Sequence, residues 1–305
     1  MNDNIFKKQA DLLLSVLPYI SADKDFALHG GTAINFFFRD MPRLSVDIDL
    51  TYLPKVQRQE ALAGISDGLK ALSKKVIKGM PETSIEEKTG AEDNLVKKLM
   101  IRKDSALVKI EPNQVIRGCL SAPETKTLCK RAGRVFEKYV EANTLSFAEI
   151  YGSKICAALD RQHPRDIFDI MLLLNNEGIT ENVRKAFIVF LISHNRPIAE
   201  LLKPNLKDMQ TVFNREFDGM TIDKVSCPQL LKTRKDLLKI INAVLTENER
   251  FFLLSFKQMT PKWELLGVKD AKDMPAVRWK MENLTKMNKD KHKCSTEKLK
   301  KVLGL

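Results

Sequence analysis

Nowhere in the 305 residues does an apolar run reach the roughly 20 residues that a helix needs to cross a bilayer. The first twenty residues have an amphipathic helical pattern with neither an apolar signal-peptide core nor a cleavage site. Both absences speak against a membrane protein, and the expected location is cytoplasmic. Cysteine is scarce: Cys119, Cys129, Cys156, Cys227 and Cys294 are odd in number and lack CxxC spacing, which argues against both a disulfide framework and a zinc site. Histidine is scarcer still, and His29, His163, His194 and His292 show neither metal-ligand spacing nor a recurring acidic neighbour. They read as incidental, except for His29, which adjoins a glycine turn and is a candidate for a phosphate contact. Acidic residues are the minority charge, and the resulting net charge of +12 attracts polyanions without saying which.

What is present fits a soluble globular chain long enough for two domains. Hydrophobic residues make up 44% and charged residues 30%, within the ordinary range for such proteins. The stretch from Phe26 to Tyr52, FALHGGTAINFFFRDMPRLSVDIDLTY, carries the chemistry. From Ser45 to Tyr52 it alternates, with Val46, Ile48 and Leu50 on one side and Asp47, Asp49 and Thr51 on the other, so a strand places both carboxylates on one face. Two carboxylates there repel unless a cation lies between them, and Mg²⁺ prefers such oxygen ligands. Upstream, Phe26 to His29 reads as a strand and Ala33 to Arg39 as a helix, which leaves Gly30, Gly31 and Thr32 as the turn. Two glycines let the backbone approach an anion, and helix-start N–H groups point at it.

Strand, GG(S/T), helix and then a strand with alternating aspartates resembles the signature of the polymerase-beta-like nucleotidyltransferase superfamily. The longer form RxSxDIDL, with Arg43 and Ser45, resembles one branch, the AbiEii nucleotidyltransferase toxins of type IV toxin–antitoxin systems. A second segment, Lys154-x6-Arg161-x3-Arg165-Asp166-x2-Asp169, is similar to that family's KLxAxxxRxxxRDxxDL, with Cys156 and Ile170 replacing commoner residues. The tail from Pro275 through Trp279-Lys280 to Asn283-Leu284 resembles a third, PxxxWKxxNL.

The resemblance implies a Mg²⁺-dependent enzyme, with two ions expected, that transfers NMP from an NTP to an acceptor hydroxyl at the 3' end of tRNA and so inhibits translation and growth. A cognate antitoxin protein is implied as a partner. Asp47 and Asp49 would be catalytic metal ligands. Gly30, Gly31, Thr32, Arg43, Ser45 and Lys154 would bind the nucleotide, and Asp166 would be required for activity. On the residues alone, Lys154 and Arg161 with Asp166 and Asp169 read first as a structural salt-bridge corner joining two helices. The third metal carboxylate is expected to be Glu111, on a strand that alternates with Val108 and Ile110, with a surface Glu before Pro112 as the alternative. Two other function classes stay open: transfer to a small molecule or protein, and a nucleic-acid-binding module with a silent site, against which the intact aspartate pair argues.

The rest of the chain predicts an α/β fold, a small mixed-sheet nucleotidyltransferase domain over 1–145 followed by a mainly helical domain over 146–305. An opening helix spans Asp3 to Tyr19 and a second Val56 to Lys78; strands follow at Thr83–Lys88, Leu95–Lys103 and Ala106–Glu111, giving a sheet of about five strands. Val115 to Asn143 shows no readable period. Ser146-x-x-Glu149 has the form of a capping box opening a helix, and from Thr180 onward the pattern is almost wholly helical. Ala271–Leu305 holds ten Lys/Arg against four Asp/Glu, half of the net charge excess, which favours nucleic acid as the partner of that surface.

Overall fold

The amphipathic repeat at the start of the chain folds as helix α1, Ile5–Ser21, which buries Leu13, Leu14 and Leu17 and leaves Phe6 half-buried. The computed structural model describes residues 5–305; Asp3, where the sequence pattern begins this helix, lies outside the described residues. Strand β1 (Phe26–His29) then runs straight into a helix. Its first turn is α2 (Gly30–Ala33), and Ile34–Phe38 continues it as a π-helix, marked by the bond from Arg39 N–H to the Ile34 carbonyl at 2.8 Å. The expected GG turn is therefore the first helical turn itself. Strand β2 (Asp47–Tyr52) buries Ile48 and Leu50 and leaves Asp47 and Asp49 half-buried on the opposite face.

Helix α3 (Arg58–Gly79) packs its Ile65, Leu69, Leu72 and Val76 stripe inward. Strands β3 (Ser84–Thr89), β4 (Val96–Lys103) and β5 (Ala106–Pro112) follow within a residue or so of their expected limits. The unreadable region resolves into β6 (Glu124–Thr127), α4 (Lys130–Phe136) and β7 (Glu141–Thr144). Among the described residues the sheet has seven strands in the order β3-β4-β5-β2-β1-β7-β6. It is mixed: β1 pairs antiparallel with β2 and parallel with β7, while β2 pairs parallel with β5. The two aspartates thus sit on a central strand, where a buried apolar face pins the register and with it the side on which they emerge.

The chain divides into two compact units. The first comprises Met1–Ser146 together with Gly219–Lys224. That short return segment bonds the chain just ahead of β2: Leu44 N–H donates to the Met220 carbonyl at 2.8 Å and Ile222 N–H to the Pro42 carbonyl at 2.9 Å. The second unit, Phe147–Asp218 with Val225–Leu305, is helical. Its helices are α5 (Phe147–Asp160), α6 (Pro164–Asn176), α7 (Glu181–Ser193), α8 (Ile198–Leu202), α9 (Gln210–Glu216), α10 (Cys227–Val244), α11 (Glu247–Lys257), α12 (Pro275–Thr285) and α13 (Lys289–Leu303). Helix α7 is apolar nearly all round and buried from Ala186 to Ser193, as the central helix of a bundle must be. Helix α5 crosses it closely because residue 152 is glycine: a Cβ there would lie 2.7 Å from the Phe187 backbone nitrogen. No helix among the described residues is long and apolar enough to cross a membrane.

Candidate functional site

In the parallel pairing of β2 with β5, Asp47 lies beside Lys109 and Asp49 beside Glu111, so three carboxylates and one ammonium share a face of the sheet. His29 stands across from Asp49 on β1. A cleft of about 360 Å³ opens at this point, lined by His29, Asp49, Glu111, Pro112, Asn113 and Gln114. The loop past β5 is held by the Asn113 side chain, which accepts from the backbone of Val115 (2.9 Å) and Ile116 (2.8 Å). These bonds fix the part of the cleft lining that follows β5.

The glycines have separate jobs. Gly30 has φ +72°, and a Cβ on it would lie 2.4 Å from Asp49 Oδ2, so glycine satisfies both the backbone conformation and the close approach of the carboxylate. A Cβ on Gly31 would lie 2.7 Å from Arg43 Nη2. Behind this turn the Thr32 hydroxyl lies 2.8 Å from Ser45 Oγ and 2.5 Å from the Asp47 carbonyl, which ties the helix start to the strand start. The Asn35 amide adds a bond to the Gly31 carbonyl at 2.9 Å. Thr32, Arg43 and Ser45 are all buried, and Arg43 donates to the Leu44 carbonyl. As the protein stands, these three side chains, expected to bind the nucleotide, face inward and shape the turn.

Lys109 completes the electrostatics, a role that its place beside Glu111 in the sequence pattern did not assign to it. Burial alone would lower its pKa, but the hydrogen bond to Glu111 and the charges of Asp47, Glu111 and Asp49 outweigh it and the net shift is upward. Its ammonium lies 2.8 Å from Glu111 Oε2, and Lys98 approaches the other oxygen at 3.8 Å. The signal was available: Lys109 is two residues before Glu111 on a strand, hence on the same face. Among the described residues no three His, Cys, Asp or Glu side chains converge as a ready metal cage. Glu111 neighbours Asp49 in register but turns its carboxylate to the lysines. The donor set itself, carboxylate oxygens on one face beside a glycine cradle, suits a hard cation that keeps several waters and takes further ligands from a substrate phosphate.

The second group lies in the helical unit, at the corner between α5 and α6. Lys154 Nζ is 2.9 Å from Asp166 Oδ1 and 3.3 Å from Asp169 Oδ2, with all three side chains at most 5% exposed. Arg161 adds a bond to each Asp166 oxygen, at 2.5 and 2.9 Å. Burial would raise the Asp166 pKa, yet Lys154 and Arg161 overcome it and hold the carboxyl far below the usual range. The corner is set by His163, the N-cap of α6: Nδ1 accepts from Arg165 N–H at 3.1 Å, and Nε2 lies 3.1 Å from Glu216. Burial outweighs the opposing pull of Glu216, lowers the His163 pKa and keeps the ring neutral, so with Nδ1 accepting, Nε2 carries the proton toward Glu216. This histidine is a cap, a role that the His-Pro pair ahead of a helix foreshadows.

The basic tail divides in two. Lys280 on α12 points inward and donates to the carbonyls of His194, Asn195 and Arg196 at 2.6, 3.2 and 3.3 Å, while Arg278 pairs with Asp273. On α13, Lys289, Lys291, Lys293, Lys298, Lys300 and Lys301 are exposed.

Comparison with known proteins agrees with this architecture. Similarity to curated proteins yields no significant match. Among solved structures the chain is similar to MenT4, a nucleotidyltransferase toxin from Mycobacterium tuberculosis H37Rv, with TM-score 0.59 over 92% of each chain and 13% sequence identity, a likeness of fold. The family model for the nucleotidyl transferase AbiEii toxin of type IV toxin–antitoxin systems matches residues 11–283, which takes in both carboxylate groups and most of α12. The chain belongs to the AbiEii family of nucleotidyltransferase toxins.

Proposed function

We propose that this toxin transfers a nucleoside monophosphate from an NTP to the terminal hydroxyl at the 3' end of tRNA. The observation that carries the proposal is the placement of Asp47 and Asp49 side by side on a central strand, with Gly30 cleared for the Asp49 carboxylate and a polar cleft beside it. In the reaction the acceptor hydroxyl gives up its proton to solvent, its oxygen bonds to the α-phosphorus, the bond from that phosphorus to the bridging oxygen breaks, and pyrophosphate leaves with the electron pair. Asp47 and Asp49, joined by Glu111 once it releases Lys109, would hold Mg²⁺, which when bound supplies Lewis-acid activation of the hydroxyl and shields charge on the phosphates. The first helical turn at Gly30 and Gly31 offers backbone N–H groups to the triphosphate. Thr32, Ser45 and Arg43 keep that turn and Asp47 in fixed relation. Lys109 neutralises the carboxylates until the substrate complex forms. Lys154 and Asp166 form a second, buried ionic group on which activity depends.

The exposed lysines of α13 favour an RNA acceptor over a small molecule or a protein. The test is incubation of the protein with total tRNA, Mg²⁺ and each labelled NTP in turn. Label should enter tRNA with at least one NTP, and periodate oxidation of the terminal ribose beforehand should abolish it. Label that enters protein or a small molecule and never tRNA would overturn the acceptor assignment. The basic surface adds a salt test: each phosphate contact releases about 0.7 to 0.9 counterion, so tRNA binding should weaken steeply between low and physiological salt.

A further inference from the structure

Within the helical unit a pocket of about 470 Å³ lies among α8, α11, α12 and α13. Its apolar lining comes from Ile198, Phe256, Leu284, Met287 and Leu299, a size and surface typical of small-molecule sites. Lys257, in the last turn of α11, also lines it and is only 8% exposed. An ammonium has three donors, and the hydrogen-bond partner of this one is Met287 Sδ at 3.9 Å, a weak acceptor. Among the described residues no carboxylate lies within ion-pair distance of Lys257. Burial lowers the Lys257 pKa, and burial followed by repulsion from Lys257 lowers that of Lys280, on the same wall, to about 8. Lys280 is held by three backbone carbonyls, so its charge stays at the pocket. The acidic lining residue, Glu200, is tied at the rim to Arg196 and Lys298.

A core position packed for stability alone would carry methionine or leucine at 257, since a largely buried lysine whose ammonium is given no oxygen partner by the chain is destabilising. An anion entering the pocket would supply the missing acceptor, and its body would cover the apolar floor. We propose that this pocket binds a small organic anion, a compact apolar or aromatic body with one anionic headgroup directed at Lys257 and Lys280.

The probe is 8-anilinonaphthalene-1-sulfonate, titrated against the full chain at low salt and followed by fluorescence. One equivalent should bind saturably and protect the exposed Cys294, another lining residue, from iodoacetamide as read by peptide mapping. Lys257→Met should weaken binding by about tenfold or more, the scale of losing one charge-assisted hydrogen bond, without lowering the melting temperature. Lys257→Arg should retain it. Displacement of the dye by octanoate would assign a carboxylate amphiphile, and displacement by AMP a nucleotide phosphate. The proposal is overturned by binding that Lys257→Met leaves unchanged, by absence of a saturable single site, or by a dye that neither competitor displaces.

Discussion

Two groups of carboxylates in this chain are held by a lysine, and their surroundings could hardly differ more. Around Lys109, three carboxylates on a sheet face share a pair of lysines, and the lysine and Glu111 side chains stay 33% and 40% exposed. Around Lys154, two carboxylates and two cations are matched, and lysine and aspartates are almost wholly removed from water. An open site with excess negative charge is built to exchange partners, since an incoming cation costs little desolvation and relieves repulsion. A sealed, balanced site has no such freedom: removing one member strands the others in a low-dielectric interior. The same side-chain types thus make an open, exchangeable group in one unit and a closed, charge-matched group in the other.

The sharpest way to break this contrast is Lys154→Ala. With Asp169 deprived of its lysine and Asp166 left to Arg161 in a buried corner, the cost should be about 3 kcal/mol of stability, not the near-zero cost of an exposed pair. Thermal unfolding and turnover measured on the same variant decide it. Lost turnover at an unchanged melting temperature would show that the corner, too, is a working site whose geometry tolerates exchange.

Asp49→Asn should do the reverse, reducing nucleotide transfer by about 10²- to 10³-fold or more while leaving the melting temperature the same or slightly higher, because one charge leaves a crowded face. The size of the side chain is unchanged, so a large stability loss would move Asp49 from the chemistry to the scaffold. Gly30→Ala tests the same carboxylate from the other side. Its Cβ would collide with Asp49 Oδ2 at a backbone angle that disfavours L-residues, so the expected result is a displaced carboxylate, strongly reduced turnover and a stability loss of about 1–2 kcal/mol. Near-normal turnover in this variant would mean that the cradle has slack and Asp49 need not sit where it does.

These sites were unequally legible. The strand with Asp47 and Asp49 announced itself because period-two alternation and the glycine pair are local signals. The segment from Glu124 to Thr144 did not, since β6 and β7 are four residues each, β6 is largely exposed, and neither needs an apolar stripe. The return of Gly219–Lys224 to the sheet unit is made through backbone bonds and carries no side-chain code. The inward turn of Lys280 and the burial of Lys154 depend on neighbours distant in the chain. Spacing showed that Lys154 and Asp166 belong together; only packing shows how tightly water is excluded.

The smallest expected effect is a pH dependence confined to the helical unit. In the folded protein burial keeps His163 neutral to a pH below its ordinary value, whereas in the unfolded chain it titrates near 6.5. As pH falls through about 6.5 the unfolded state takes up the proton first, so stability should decline, and the loss is complete once pH is below the folded value. His194 is likewise held down by burial, opposed by Asp160, and should contribute in the same window. His163→Asn keeps a capping oxygen for the Arg165 N–H but removes the titration, so its melting temperature should fall less steeply between pH 7 and pH 5.5 than that of the natural protein. At the strand site His29 precedes α2 without making a side-chain cap bond, so Asp49→Asn should leave the slope unaltered. Parallel slopes for the natural protein and His163→Asn would show that the cap does not couple the corner to pH, and a flattened slope in Asp49→Asn would show that the open site does.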